Sequence, residues 1–365
     1  MSTTTRTQAA ISRDAAGPLV IEAVDIDGPR ADEVLVRLVA TGVCHTDVVS
    51  RYAPPEGSGA VFGHEGAGIV EQVGEKVVDV QVGDAVLMSF ASCGECDLCA
   101  SGHPGYCAHF GALNAGGCRL DGSAPLSHDG QPLYSSFFGQ SSFARHAVVA
   151  ARSVVVVPPD TDLVASAAMG CGFQTGAGAV ANVMRPATDD SLVVFGVGGV
   201  GAAAIMAARA LGLTNIVAVD LSKERRETAL RLGAASVVDG AEPDVVGRVK
   251  DLTGGGATFG LDTTAVPAVI RNAALALAPL GTLVVVGVGA PEVTIDVMDL
   301  IGQGKSIRGS IEGDAVPREL IATMLSWQAA GRFPAGSVVT SFPFEKINDA
   351  LAATGPVVKP VITFE

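Results

Sequence analysis

The stretch from residue 192 to residue 290 limits the fold of this 365-residue chain more than any other part. Short runs of apolar and β-branched residues alternate here with longer segments of helical pattern, such as 222–232 and 267–278. Strands that alternate with helices predict a parallel sheet with helical crossovers. The predicted strands are Leu192–Phe195, Ile216–Val219, Ser236–Val238, Phe259–Asp262 and Leu283–Val286. Because the chain exceeds the size at which one core usually stops growing, we expect two domains.

A glycine-rich turn follows the first predicted strand and opens the first helix. The turn consists of Gly196, Val197, Gly198, Gly199, Val200 and Gly201. In this setting the pattern favours a dinucleotide site over a merely tight turn, because glycines admit a pyrophosphate to the helix N-terminus. Asp220, which closes the second strand, would accept hydrogen bonds from the adenosine ribose and repel a 2′-phosphate, so NAD is favoured. Arg225, another candidate cofactor contact, and Arg226 keep NADP open as the alternative.

Four closely spaced cysteines form the strongest local motif. They follow the spacing C-x2-C-x2-C-x7-C and are Cys93, Cys96, Cys99 and Cys107. Four thiolates in one short loop can surround a zinc ion and leave no coordination position open, which is typical of a structural site. The alternatives are two disulfides or four free thiols, and the spacing favours zinc.

A second metal site is predicted from three residues that lie far apart in the sequence. His64 precedes a glycine-rich apolar run, Cys44 lies upstream of it and Cys171 lies far downstream. One histidine and two thiolates leave the fourth position of a tetrahedral zinc ion open to a substrate, which distinguishes catalytic zinc from structural zinc. The alternative for His64 is a hydrogen-bonded core histidine, the commoner state of a single histidine among apolar residues.

The order of these motifs resembles that of the zinc-dependent medium-chain alcohol dehydrogenases. The resemblance rests on Gly63–Gly74, Cys44, Thr46, Asp47, Cys171 and Gly172. It covers nearly the whole chain, from about Val34 to Lys359. Within the family, His45 and the segments 137–143 and 170–178 are most similar to the aryl-alcohol (benzyl alcohol) and geraniol dehydrogenases.

The resemblance implies an α/β protein with two domains. One is a Rossmann coenzyme domain with a doubly wound parallel sheet, and the other is a mostly β, GroES-like catalytic domain. We expect the catalytic domain at 1–172 and 310–365 and the NAD-binding domain at 173–309. The resemblance also implies two zinc ions per subunit, one catalytic and one structural, with NAD as cofactor, in a homodimer or homotetramer.

The resemblance further assigns roles to residues near the predicted catalytic zinc. Thr46 resembles the hydroxyl that takes the proton from the alcohol. Asp47 and Glu65 resemble carboxylates behind the ligands, of which Asp47 would orient His64. Lys359 resembles the basic residue that contacts the cofactor pyrophosphate, with an ordinary surface lysine as the alternative.

One position departs from the family pattern. Many relatives pass the proton to a histidine five residues after the first zinc-binding cysteine, but this chain has Val49 there. Valine cannot accept a proton, so the relay ends in water or at another base. His45 is the nearby candidate, either as a general base at physiological pH or as a contact to the pyrophosphate, and both roles remain open.

The candidate pocket residues are apolar and favour a bulky apolar primary alcohol or its aldehyde, aryl or allylic, such as benzyl alcohol or geraniol. They are Phe90, Phe137, Phe138, Val288 and Ile311, of which Val288 is also a candidate cofactor contact. A class-III-like dehydrogenase, which oxidises a thiol adduct of formaldehyde, is the enzymatic alternative and would need polar and basic groups here. The alternative outside enzymes is a non-catalytic dinucleotide-binding protein on the same fold.

Charge and hydropathy bear on partners and location. The net charge of −14 and the absence of any basic run argue against nucleic-acid binding. Leu192–Ala208 carries no charge, but it is shorter than the ~20 residues of a membrane helix and contains four glycines. The first 17 residues lack the apolar run of a secretory signal. We therefore expect a cytoplasmic enzyme with a small-molecule substrate and neither a nucleic-acid nor a membrane partner.

Overall fold

The computed structural model describes residues 4–52, 54 and 58–365. The described residues form two compact units. The first unit comprises the described parts of Met1–Cys171, together with Val316–Ala322 and Val339–Glu365, and the second comprises Gly172–Ala315 and Thr323–Val338. Whereas the predicted catalytic domain took in all of 310–365, residues 310–315 and 323–338 belong to the second unit.

The described residues form strands and helices in the following chain order. The strands are β1 (Thr5–Ser12), β2 (Val20–Ile26), β3 (Glu33–Gly42), β4 (Ala60–Val61), β5 (Glu65–Val73), β6 (Ala85–Met88), β7 (Leu126–His128), β8 (Gln131–Pro132), β9 (His146–Ala150), β10 (Val154–Val156), β11 (Ser191–Phe195), β12 (Asn215–Asp220), β13 (Ser236–Asp239), β14 (Ala257–Asp262), β15 (Leu277–Val285), β16 (Ser306–Gly309), β17 (Val339–Pro343) and β18 (Lys359–Thr363). The helices are α1 (His45–Val49), α2 (Asp97–Ala100), α3 (Phe110–Ala115), α4 (Leu163–Ser166), α5 (Gly172–Gly178), α6 (Gly199–Ala210), α7 (Lys223–Leu232), α8 (Val245–Thr253), α9 (Pro267–Leu275), α10 (Val297–Gln303), α11 (Pro317–Ala329) and α12 (Ile347–Ala352).

The first unit is built from two sheets. One has the strand order β4-β1-β2-β7-β8, and the other has the order β10-β6-β5-β3-β18-β17, with β9 also paired to β3. Alternating apolar residues of β3, such as Val34, Val36 and Leu38, lie in a buried cluster with Met88 of β6. This packing fixes the ends of β3 and β5, the two strands that adjoin Cys44 and His64.

The second unit is a parallel sheet of six strands in the order β13-β12-β11-β14-β15-β16. Its central strand β11 is buried at every position, as expected of a β-branched, apolar strand covered on both faces. The Ser222 side chain caps the N-terminus of helix α7 and accepts a hydrogen bond from the Arg225 amide. Gly233, with φ +114°, caps its C-terminus. These alternating strands and helices confirm the parallel α/β sheet predicted from the sequence.

Within the described ranges, no single helix is long and apolar enough to cross a membrane. One bent pair, Leu163–Gly170 with Gly172–Met184, meets the test jointly by length and composition.

Candidate active site

Three potential metal ligands that are distant in the sequence converge in the first unit. Cys44 follows β3, His64 immediately precedes β5, and Cys171 follows a short 3-10 turn that ends at Gly170. Their ligand atoms all lie within 4.8 Å of one another. His64 is fully buried, Cys171 is buried and Cys44 is half-buried. The structure therefore brings together the three residues predicted for the catalytic zinc.

Asp47 orients the His64 ring. Its Oδ1 lies 2.8 Å from His64 Nδ1 and also accepts from the Gly63 amide at 3.0 Å. Its Oδ2 accepts from the Cys44 amide at 2.9 Å, so this buried carboxylate connects two candidate ligand segments. The other ring nitrogen of His64, Nε2, is buried and makes no hydrogen bond to any described residue. An orphaned buried nitrogen beside two thiols fits zinc, a borderline-soft ion that binds imidazole and thiolate.

Electrostatics within this cluster favour the metal-binding form of Cys44. A hydrogen bond with Cys171 is the largest influence and, together with His64, lowers the pKa of the Cys44 thiol well below its usual value despite burial. Burial lowers the pKa of His64, but the Asp47 carboxylate outweighs it and holds that pKa well above its usual value. A metal ion at this cluster thus competes with protons for the ligand atoms.

Glu65 and Lys359 form a buried ion pair beside the cluster. Lys359 Nζ also donates to the Val43 carbonyl at 3.1 Å. Burial lowers the pKa of Lys359, but attraction to Glu65 outweighs it and raises that pKa above its usual value. A Cβ at Gly42 would lie 1.8 Å from the Glu65 carboxylate, so the pair requires glycine there. The amine of Lys359, predicted to contact a pyrophosphate, lies inside the first unit.

The other predicted catalytic residues flank Cys44. The Thr46 hydroxyl lies 3.7 Å from Cys44 Sγ. His45 is exposed at the first position of α1, and Val49 is 38% exposed at its end.

Aromatic rings cover one side of His64. The Phe138 ring stacks on the imidazole with centroids 4.5 Å apart, and the Phe137 ring meets it edge-on at 5.4 Å. Phe137 is a core residue with 1% exposure, whereas Phe138 is partly exposed. Phe110, which sequence reasoning missed, packs edge-on against Phe138 at 6.3 Å and contacts Phe90 at 5.9 Å. No local sequence signal marks Phe110, because its ring contacts are with residues 20 and 28 positions away.

The four closely spaced cysteines also converge, with ligand atoms within 4.8 Å of one another, and no disulfide joins any cysteines of the described residues. Backbone amides point at their sulfurs, among them Cys93 N to Cys107 Sγ at 3.3 Å and Ala108 N to Cys96 Sγ at 3.5 Å. The Ala108 amide is the largest influence that lowers the pKa of Cys96 to about 6. Four converging sulfurs can enclose a zinc ion and leave no coordination position open.

The glycine-rich turn joins β11 to α6 in the second unit. Gly196 has φ +90°, and a Cβ at Gly201 would lie 1.9 Å from the Gly196 carbonyl, so both positions require glycine. A Cβ at Gly198 would meet nothing within 4 Å, which leaves the turn open to a ligand.

Asp220 at the end of β12 is bonded to this turn, since it accepts from the Val197 amide at 2.7 Å. The Arg225 guanidinium lies 3.9 Å from its carboxylate. Val288 and Ile311 are exposed on the same unit, at 60% and 43%.

Comparison with known proteins gives matches along nearly the whole chain. Residues 30–159 match the family model "Alcohol dehydrogenase GroES-like domain", and 199–329 match "Zinc-binding dehydrogenase". A geraniol dehydrogenase of Castellaniella defragrans is 45% identical over 98% of this chain and 97% of its own length. A crystal structure of an alcohol dehydrogenase zinc-binding domain protein from Burkholderia ambifaria is similar with TM-score 0.96, 43% identity and complete coverage of both chains. That of a benzyl alcohol dehydrogenase from Acinetobacter calcoaceticus gives TM-score 0.95 and 36% identity, covering 99% of this chain and 100% of the other.

Proposed function

Since the chain belongs to the zinc-dependent alcohol dehydrogenase family, we propose that it interconverts bulky apolar primary alcohols and their aldehydes with NAD. The proposed substrates are aryl or allylic alcohols, such as benzyl alcohol or geraniol. The similarity to a geraniol dehydrogenase and to a benzyl alcohol dehydrogenase supports this class.

The observation that carries the proposal is the aromatic surface beside the three-ligand cluster. Phe138 stacks on His64 and Phe110 packs against Phe138. An apolar chain buried on such a surface gains about 0.8 kcal/mol per CH₂, so a bulky alcohol is favoured over ethanol.

The proposed chemistry divides between the bound groups and the side chains. Zinc at Cys44, His64 and Cys171 supplies Lewis acidity toward the alcohol oxygen, and NAD supplies the hydride acceptor. Asp47 accepts a hydrogen bond from the Nδ1–H group of His64 and thereby directs the Nε2 lone pair toward the metal position. The Thr46 hydroxyl, beside Cys44 Sγ, takes the proton that the alcohol loses and passes its own proton to water or to His45.

We assign the cofactor contacts to the second unit and to two residues of the first. In the second unit they are the glycine-rich turn, Asp220, Arg225 and Val288. Asp220 lies at the end of a parallel strand, where a carboxylate favours ribose hydroxyls over a 2′-phosphate. His45 has two candidate roles, proton acceptor and pyrophosphate contact, which NAD affinity and turnover of a His45→Gln variant distinguish. Lys359 is the other residue of the first unit that we assign to the cofactor, and this assignment rests on the family resemblance alone.

Two structural observations weigh against the alternative functions. A thiol adduct of formaldehyde carries charge, and the side chains stacked around His64 are aromatic, which disfavours it. A non-catalytic dinucleotide-binding protein has no use for the orphaned His64 Nε2 beside two thiols.

A substrate panel tests the proposal. We expect kcat/KM for benzyl alcohol and geraniol to exceed that for ethanol at least tenfold, since two or more buried CH₂ equivalents correspond to roughly that factor. NADH formation is measured with NAD and, in parallel, with NADP. Equal use of ethanol, a preference for the thiol adduct, or no turnover of any alcohol would each reject it.

We also propose a homodimer or homotetramer and a cytoplasmic location. Strand β16 is an edge strand with Ile307 exposed, and α10 exposes Val297, Met298 and Ile301. An edge strand beside exposed apolar residues fits a second copy of the chain, because a two-fold contact pairs an edge strand with itself. Light scattering measures the assembly. Six of the seven cysteines lie in the two candidate metal clusters, and metal-binding cysteines are typical of a reducing compartment.

A further inference from the structure

The backbone around His64 is held on one side by a side chain in place of a strand. Strand β6 pairs with β5 only over Ala67–Ile69, which leaves the residues before Ala67 without that neighbour. There the Gly66 amide donates to Gln140 Oε1 at 3.0 Å, and Gln140 Nε2 donates to the His64 carbonyl at 2.9 Å. Gln140 thus hydrogen-bonds to the backbone on both sides of Glu65, as a paired strand would.

The same amide reaches toward the third candidate ligand. Gln140 Nε2 lies 3.4 Å from the Ser89 carbonyl, and Ser89 Oγ donates to the Gly170 carbonyl at 2.7 Å. Gly170 directly precedes Cys171, and a Cβ there would lie 2.0 Å from the Met88 carbonyl, so the two segments are in close contact. A continuous polar connection therefore runs from His64 through Gln140 and Ser89 to the residue before Cys171.

This connection is buried throughout. Gln140 is 3% exposed and Ser89 is fully buried. Buried hydrogen bonds act in a low dielectric and are costly to leave unmade, so such a network holds its members in one arrangement.

The segment that delivers Gln140 has an unusual backbone. Ser136, Phe138 and Ser141 all have positive φ, at 91°, 49° and 49°. Ser141 Oγ accepts from the Ser136 and Phe137 amides and donates to the Val61 carbonyl, which stabilises this shape. Left-handed non-glycine residues persist only where the surroundings hold them, and here they present both the Phe138 ring and the Gln140 amide to His64.

We propose that Gln140 is a positioning residue for the catalytic metal, acting with Ser89 to fix the spacing of His64 and Cys171. The proposal rests on the zinc site proposed above. Partners behind metal ligands are worth about 10–100-fold in metal affinity, because they hold the ligand atoms at the coordination geometry.

The test is zinc release to a chromogenic chelator from the purified holoenzyme. Gln140→Met keeps the length of the side chain and removes its hydrogen bonds to the Gly66 amide and the His64 carbonyl. We expect one of two zinc ions to leave about 10–100-fold faster than in wild type, and the other at the wild-type rate. A Cys171→Ala variant, which retains only the four-cysteine zinc, identifies the accelerated phase.

Asn348→Leu is the matched control. The Asn348 side chain also makes two hydrogen bonds to one backbone segment. Its Oδ1 accepts from the Leu19 amide at 2.8 Å and its Nδ2 donates to the Leu19 carbonyl at 2.9 Å, but Leu19 adjoins no candidate ligand. This variant should release zinc like wild type. Ser89→Ala, which breaks the connection at Gly170, should accelerate the same phase as Gln140→Met, and it decides the question if Gln140→Met does not fold.

The outcomes separate two failures. Wild-type zinc release from both Gln140→Met and Ser89→Ala would overturn the positioning role while leaving the zinc site intact. If wild type binds no more zinc than Cys171→Ala, the proposed zinc site itself is wrong.

Discussion

At the scale of single residues, the ion pair of Lys359 and Glu65 has a measurable consequence. Removing one partner of a buried pair costs about 3–5 kcal/mol, so Lys359→Met should lower the free energy of unfolding by that order. Glu65→Gln in the same chain removes the stranded charge and should recover most of the loss. Urea denaturation of the single and double variants measures both effects.

Lys305 supplies the control for this prediction. It is also buried and pairs with Asp299, but it lies in the second unit. Glu65→Gln should not rescue Lys305→Met. If Lys359→Met unfolds like wild type and only binds NAD more weakly, Lys359 acts as the pyrophosphate contact predicted from the family resemblance instead.

Residue type, together with spacing and motif order, was enough to select the candidate ligands, because thiolate and imidazole are chemistry that few other side chains offer. Gln140, Ser89 and Phe110 could not be selected in that way. Their roles arise from contacts with residues 20 or more positions away, such as Phe110 with Phe90 and Gln140 with Ser89, which no local pattern records. The predicted role of Lys359 came from resemblance, and the burial of its amine became visible only in the fold.

At the scale of elements, the five strands predicted in the parallel sheet are present because each is a short apolar run between turn signals, although β15 begins at Leu277, six residues before its predicted start. Strand β16 was missed, since all four of its residues are exposed and it has no apolar run. The match of residues 30–159 confirms the predicted GroES-like domain.

The four-cysteine loop makes a prediction at this scale. Four ligands fold the loop around one metal ion, so Cys93→Ser should lose that zinc and destabilise the protein. A loss of about 2–3 kcal/mol corresponds to a melting temperature lower by roughly 5–10 °C. Thermal unfolding with and without a chelator measures it. Cys118→Ser is the control, since Cys118 lies outside the cluster, and equal melting of both variants would contradict a structural metal.

At the scale of the whole molecule, the residues proposed for chemistry and most of those proposed for cofactor binding lie in different units. Both candidate metal clusters lie in the first unit, and the glycine-rich turn with Asp220 lies in the second. The sequence predicted this division because one unit has metal-ligand spacing and short strands, and the other has alternating strands and helices. The chain passes from the first unit to the second within α11, after Ala322, and no sequence signal marks this point.

The central claim is that Cys44, His64 and Cys171 hold a catalytic zinc that is separate from the zinc of the four-cysteine loop. Elemental analysis of purified wild type and Cys171→Ala, alongside circular dichroism and alcohol oxidation, tests it most directly. We predict two zinc ions per wild-type subunit, and one in a folded, inactive Cys171→Ala. Fully active wild type with one zinc ion or none would contradict the account. So would a Cys171→Ala variant that keeps two zinc ions and its activity.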